Sequence, residues 1–274
     1  MTETNQLIGL AQLSLVGVAP PQLVRIAAEA GFDFIGARVR PVTPTERPYN
    51  VQPGTPMLAE TLQAVKETGV GVKDIEFLLL DGSDQRPAWL EMMEAGQALS
   101  AESLTVASAL EDEQLLIDVL GQMTEDGKNF GIMPTLEVIS YQKVNSLALA
   151  VKIAQATGCK IVADTLHLSR VGTTDAELTA SADLIPMLQL CDGPAQAPAD
   201  REGLVHESRS ERGLPGEGDF RLAEMVAALP ADLPLSVEAP SDSRVAAHGE
   251  LAWAKSLKEG ADAVVARANE LRKN

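Results

Sequence analysis

Cysteine and histidine are scarce in this chain of 274 residues, which holds two of the first and three of the second. Cys159 and Cys191 cannot build a disulfide framework or a paired CxxC zinc site, and three imidazoles exclude centres made from many of them. Basic residues are also short: 22 Lys and Arg against 39 Asp and Glu give a formal charge of −17. Nucleic-acid backbones are bound by clustered Lys and Arg. The only basic run lies within residues 271–274, so a nucleic-acid partner is excluded and an anionic membrane surface is disfavoured. No stretch resembles a membrane span of about 20 apolar residues. Residues 1–6 are polar and acidic, unlike the basic start of a secretory leader, and the chain is expected in the cytoplasm. No GxGxxG fingerprint follows an early strand, which weakens an open dinucleotide-binding sheet. Sequence repeats, low-complexity segments and interdomain linkers are missing as well.

What is present is 45% hydrophobic residues, enough for a sizeable core, arranged in a regular rhythm. Short β-branched or apolar runs at 7–15, 32–39, 71–80, 103–109, 132–139, 160–166, 184–191 and 233–238 read as eight strands. Longer segments of helical character lie between them. The first helix opens at Pro20, suited to an early helical position, and closes at Gly31, suited to a C-terminal cap. The second covers 56–68, others centre on Met92, Val119, Leu149, Leu178 and Met225, and a long last helix covers 243–271. Strict β and α alternation implies parallel strands with helical crossovers. Eight such units within this length predict a single (β/α)8 barrel over residues 1–274 with a parallel eight-stranded core. Two strand-to-helix connections, 40–55 and 192–218, are longer than the rhythm requires. Such loops lie on the face where barrel active sites sit.

Polar residues interrupt the last four strands near their C-terminal ends: Glu137, Asp164, Gln189 and Glu238, one per strand. An inward carboxylate there carries a desolvation cost that a metal or another cation would offset, and neighbouring strand ends converge on one mouth. Oxygen donors suit Mg²⁺ or Mn²⁺, with Co²⁺ also fitting and Zn²⁺ less suited. His167 follows Asp164 by three residues and is a candidate hydrogen-bond donor or general acid. Arg38 and Arg40 share strand parity at the end of the second strand, as a fork for a substrate carboxylate or as surface ion pairs. Glu76 shares parity with Asp74, a candidate inward partner for Arg or substrate. The glycines of 213–218 leave room for backbone approach to a ligand, phosphate included.

The run Glu137, then Asp164-Thr-Leu-His167, then Gln189-Leu-Cys-Asp192, then Arg212-Gly-Leu-Pro-Gly-Glu-Gly218, then Glu238 resembles the xylose isomerase-like TIM barrel superfamily of sugar isomerases, epimerases and dehydratases. The likeness covers nearly the whole chain and is most specific in its second half. It implies one divalent ion held by Glu137, Asp164, Gln189 and Glu238, with the two glutamates moving protons and His167 and Arg212 contacting substrate. The family allows a homodimer. The chain departs from many isomerases in having Gln189 where they have His; a glutamine there is a feature of dehydroshikimate dehydratases. Three His and the charge of −17 do not match the superfamily's three-zinc DNA-repair branch.

These readings lead to an enzyme acting on a small polyhydroxy carbonyl compound. A metal acting as Lewis acid would stabilise an enediolate, while Glu137 or Glu238 takes a proton next to the carbonyl and the other returns it. Returning it gives isomerisation or epimerisation. If a β-hydroxyl leaves with His167 as the acid, the outcome is dehydration of the 3-dehydroshikimate or inosose type. A non-catalytic sugar-binding barrel is the third reading.

Overall fold

A computed structural model describes residues 6–273; the polar start read above as no leader falls mostly outside them, at 1–5. Eight strands form the barrel: β1 (Ile8–Leu10), β2 (Phe34–Arg38), β3 (Gly71–Leu80), β4 (Ser103–Ser108), β5 (Met133–Glu137), β6 (Lys160–Asp164), β7 (Met187–Leu190) and β8 (Leu235–Val237). Each pairs in parallel with the next, and β1 closes the ring against β8. The helices are α1 (Pro20–Ala30), α2 (Pro56–Thr68), α3 (Arg86–Leu99), α4 (Glu113–Gly127), α5 (Leu147–Thr157), α6 (Thr165–Val171), α7 (Asp175–Ser181), α8 (Arg201–Ser210), α9 (Leu222–Ala227), α10 (Asp242–His248) and α11 (Glu250–Leu271). No helix among the described residues is long and apolar enough to cross a membrane.

Helix α1 illustrates how the crossovers form. Pro20 occupies its first turn, where no N–H is needed, and Gly31 ends it at φ 89° while its N–H returns to the carbonyls of Ala27 and Ala28. Leu23, Val24, Ile26 and Ala27 are buried between these ends. Burial of each larger one stabilises by about 1.5–3 kcal/mol, and Leu23→Ala would cost about 2–5 kcal/mol.

Strand alternation separates two kinds of core. Ile35, Ile75, Leu104, Leu136, Ile161, Leu188 and Leu235 belong to the large apolar cluster shared with the helices. The opposite parity forms the barrel interior. Phe34, Val162 and Met187 pack there as a separate apolar plug, with Gly9 admitting the Phe34 ring, whose atoms would lie 2.1 Å from a Cβ at that position. The next interior positions are polar: Gly36 and Arg38 on β2, Asp74 and Glu76 on β3, Thr105, Thr135, Glu137, Asp164, Gln189, Ser236 and Glu238. All the side chains among them are buried. Barrel interiors are ordinarily filled by branched apolar residues, so this polar upper layer marks the site.

Several boundaries differ from the sequence reading. The first strand stops at Leu10 because residues Gln12–Leu15 turn into a 3-10 helix. The sixth stops at Asp164, whose side chain caps α6 by accepting the N–H of Leu166; His167 therefore stands on a helix rather than on a continuing strand. The long 192–218 connection contains α8, and the last helix breaks at Gly249, which has φ 82°.

Candidate active site

The carboxylates of Glu137 and Asp164 are carried to the mouth by the last residues of β5 and β6, and Glu238 follows β8 directly. Ligand atoms of Glu137, Asp164 and His167 lie within 4.8 Å of one another. His167 Nε2 is 3.9 Å from Glu137 Oε1. Gln189, expected as an oxygen donor of this group, donates from Nε2 to Glu238 Oε1 at 2.8 Å, which leaves its Oε1 without a partner. Arg212 joins the two halves: Nη1 reaches Asp164 Oδ2 at 2.7 Å and Nη2 reaches Glu238 Oε2 at 2.9 Å. Its Nε donates to the carbonyl of Ser208 at 2.8 Å, and Nη1 also meets the carbonyl of Glu238 at 3.0 Å. The expected substrate contact is thus engaged by the site's own acceptors.

Burial decides where protons sit. Burial pushes the Glu137 carboxyl well above its usual range, and the charges of Glu238 and Asp164 push the same way. Burial also raises Glu238, to about 8, in spite of Arg212. At Asp164 burial acts upward too, yet Arg212 and His167 outweigh it and hold the carboxyl below its usual value. Burial would strip the proton from Arg212, but Asp164 and Glu238 keep its guanidinium charged. His167 is lowered to about 4, chiefly by burial, and is neutral at physiological pH. Its tautomer follows from its partners: the backbone N–H of Ser140 can only donate, and it faces Nδ1 at 3.4 Å. The ring proton is assigned on this basis to Nε2, the nitrogen nearer Glu137 and 3.5 Å from Ser208 Oγ. Tyr141 stacks edge-on against this ring, its centroid 5.5 Å away, and its hydroxyl donates to Ser208 Oγ at 3.1 Å.

The donor set fits a divalent ion. Three buried carboxylates face one guanidinium, a formal excess of two negative charges. Gln189 Oε1 is buried without a hydrogen-bond partner, and the Glu137 carboxylate accepts no hydrogen bond from the described residues; His167 Nε2 stands 3.9 Å from it. Glu137, Asp164 and Glu238 with the Gln189 carbonyl would hold the ion.

A cavity of about 280 Å³ opens above these groups, lined among others by Arg38, Glu76, Thr105, Glu137, His167 and Glu238. That is just below the usual range for ligand pockets of about 300–1,000 Å³ and suits a small compound. Arg38 lies on β2 beside Glu76, while Arg40 is exposed and lines a separate surface groove; the two-arginine fork is not formed. His206 and His248 are exposed. The amides of Gly193, Gly216 and Phe220 all donate to the buried Asp192 carboxylate, which occupies the loop left open above for phosphate. Asp192 also receives Gly213 in a backbone bridge at 2.7 Å, so it shapes the turn that delivers Arg212. Sequence reasoning named Asp192 without a role and missed Ser140, Tyr141 and Ser208; the signal for the first was its place three residues after Gln189 with glycines to follow. Cys191 is buried with its thiol pushed up to about 12 by that burial, which leaves it no role as a nucleophile.

The family model described as xylose isomerase-like TIM barrel matches residues 24–264. No curated protein matches the chain by sequence. Among solved structures, a xylose isomerase-like TIM barrel/4-hydroxyphenylpyruvate dioxygenase fusion protein superposes with a TM-score of 0.74 at 20% identity. The match covers 93% of this chain and 41% of that one. An L-ribulose 3-epimerase gives 0.73 at 15% identity, covering 98% and 97%. A probable 3-DHS dehydratase, AsbF, of petrobactin synthesis in Bacillus anthracis gives 0.72 at 13%, covering 94% and 98%. At these identities the likeness is one of fold.

Proposed function

Because the chain belongs to the xylose isomerase-like TIM barrel family, we propose that it is a divalent-metal-dependent isomerase or epimerase of a small polyhydroxy carbonyl compound. The observation that carries this reading is the pair Glu137 and Glu238: two buried carboxyls on one cavity, both with raised proton affinity. A carboxyl whose proton affinity is raised holds a carbon-derived proton and gives it back, which one with an ordinary pKa does less well. The ion, Mn²⁺ or Mg²⁺ by its oxygen donors, supplies Lewis acidity to the substrate carbonyl. Glu137 or Glu238 accepts the proton from the adjacent carbon as that C–H bond breaks. The other carboxyl delivers a proton to the opposite face or the neighbouring carbon as the new C–H bond forms. His167, neutral and carrying its proton on Nε2, donates a hydrogen bond to a substrate oxygen. Arg212 keeps Asp164 ionised and ties it to Glu238.

A second reading, dehydration, is favoured by Gln189 beside Glu238 and by His167 beside Glu137. Here the same carboxyl takes the proton and a β-hydroxyl departs as water, carrying a proton from one of the two carboxyls while His167 Nε2–H donates a hydrogen bond to the leaving oxygen. Incubation with Mn²⁺ in deuterium oxide with ketoses, inososes and 3-dehydroshikimate separates the outcomes by mass spectrometry. Deuterium in product of unchanged skeleton mass supports the isomerase or epimerase. Loss of one water with a new ultraviolet chromophore replaces it with the dehydratase. Absence of exchange on all three classes overturns both.

A further inference from the structure

Two buried arginines face the cavity in opposite states. Every guanidinium nitrogen of Arg212 has an acceptor. Arg38 is 6% exposed, yet neither its Nε nor its Nη1 has a hydrogen-bond partner. Its nearest anion is Glu76 Oε2, 3.4 Å from Nε, a distance and geometry that supply charge without a hydrogen bond. A buried cation with unused donors is costly unless an anion arrives to use them.

The guanidinium is held ready. The Arg38 backbone N–H donates to Gln12 Oε1 at 2.6 Å. Glu76 is fixed by the N–H groups of Gln12 at 2.9 Å and Leu13 at 3.3 Å. The Phe77 ring lies 5.9 Å from the Arg38 guanidinium carbon. Thr105, whose buried Oγ1 also has no partner, lines the same cavity.

We propose that Arg38 anchors a carboxylate on the substrate, so that the site takes polyhydroxy carbonyl acids in preference to neutral sugars. This rests on the reading of the cavity as the reaction site. The planar fork of an arginine matches a carboxylate, and Thr105 offers a second donor. A phosphate dianion fits less well: Glu46 and Asp242 add negative charge to a wall that already holds Glu76, Glu137 and Glu238, against Arg212, which its own acceptors already engage, and Arg209. The anchored carboxylate would leave the rest of a small substrate beside Glu137 and Glu238.

Titration calorimetry with Mn²⁺-loaded protein tests the anchor without turnover, using D-glucuronate against D-glucose and quinate against its carboxamide. Each acid should bind about tenfold or more tightly than its neutral counterpart. Arg38→Gln should abolish that preference, and Arg38→Lys should keep part of it. Because Arg38→Gln strands Glu76, the Arg38→Met, Glu76→Gln double variant, which removes both charges, should show the same loss in a chain that folds. Equal binding of acid and neutral compound, no binding of either acid, or a preference that survives both Arg38 changes would overturn the proposal. Repeating the titrations in Glu137→Gln separates it from the proposed reaction. Acid preference should persist there although proton transfer is lost, whereas failed deuterium exchange in the unmodified chain speaks only to the reaction.

Discussion

Arg212 Nη1 lies 2.7 Å from Asp164 Oδ2, and the two side chains are 2% and 0% exposed. The pair is a buried ion pair whose second arm reaches Glu238. Removing one partner of such a pair leaves an uncompensated charge and costs about 3–5 kcal/mol. Arg212→Met should lower metal-free stability by about that amount in chemical denaturation with EDTA. Adding Mn²⁺ should recover more stability in the variant than in the parent chain, because the ion then compensates Asp164 and Glu238 alone. Equal gains in both chains would mean that the guanidinium and the ion do not address the same carboxylates.

The protonation states predict a pH dependence for the metal-free chain. A carboxyl whose folded pKa is raised stabilises fully below its ordinary value, and that contribution is lost as pH rises through the folded pKa. Glu238 passes from 4.5 to about 8, and burial moves Glu137 and Asp74 in the same direction. His167, lowered from 6.5 to about 4, acts oppositely: its contribution is complete above 6.5 and lost as pH falls towards 4. Above 6.5 only the raised carboxyls act. Urea unfolding in EDTA should therefore show stability falling from about pH 6.5 to about pH 8, by roughly 2 kcal/mol from Glu238 alone. Mn²⁺ should flatten the fall, since the ion favours the same carboxylates ionised. A stability that rises over this interval without metal would contradict the assignment.

The barrel and its inner carboxylates were legible because both follow from local rules. Alternation of β and α segments fixes the topology, and a charge within an apolar strand such as that of Glu137 or Asp164 stands out against its neighbours. Arg212 was legible as a site residue but not in its role, since its partners lie 48 and 26 positions away and nothing local says which acceptors a guanidinium will use. Arg38 and Arg40 share parity, yet the chain leaves the sheet after Arg38 and the parity no longer carries Arg40 inward. Helix α8 was hidden because only Leu204 and Val205 are large and apolar in its ten residues, too few for a periodic stripe. The sixth strand was drawn two residues too long, to 166, because its segment is apolar in either period; the Asp164 cap turns 165–171 into a helix that carries His167.

Gln189 gives a prediction about the ion. Its Oε1 is the one amide oxygen in the site that is buried and unpaired. Gln189→His would present an imidazole near the same place, and imidazole suits Zn²⁺ and Co²⁺ better than Mg²⁺ or Mn²⁺. Elemental analysis after exposure to equal Mn²⁺ and Zn²⁺ should show one ion per chain in both proteins, with the ratio shifted towards Zn²⁺ in the variant. An unchanged ratio would mean that position 189 does not contribute to the ion.

Gly36 ties the fold to the carboxylate anchor. An ideal Cβ there would lie 2.2 Å from Glu76 Oε1 and 2.9 Å from Asp74 Oδ1, so the missing side chain is what lets the two β3 carboxyls stand over β2. Gly36→Ala must displace Glu76, which is held by the amides of Gln12 and Leu13 and supplies the nearest negative charge to Arg38. Overpacking of this kind costs about 1–3 kcal/mol. The expected pattern is selective: the preference for acids over neutral sugars falls in calorimetry, while Mn²⁺ retention stays within twofold, since Asp164, Gln189 and Glu238 lie on other strands. Shortening the obstructing group with Glu76→Asp in the same chain should restore part of both stability and preference. Loss of metal and of acid preference together, without rescue, would mean that the substitution disturbs the whole barrel mouth rather than the seat of Arg38.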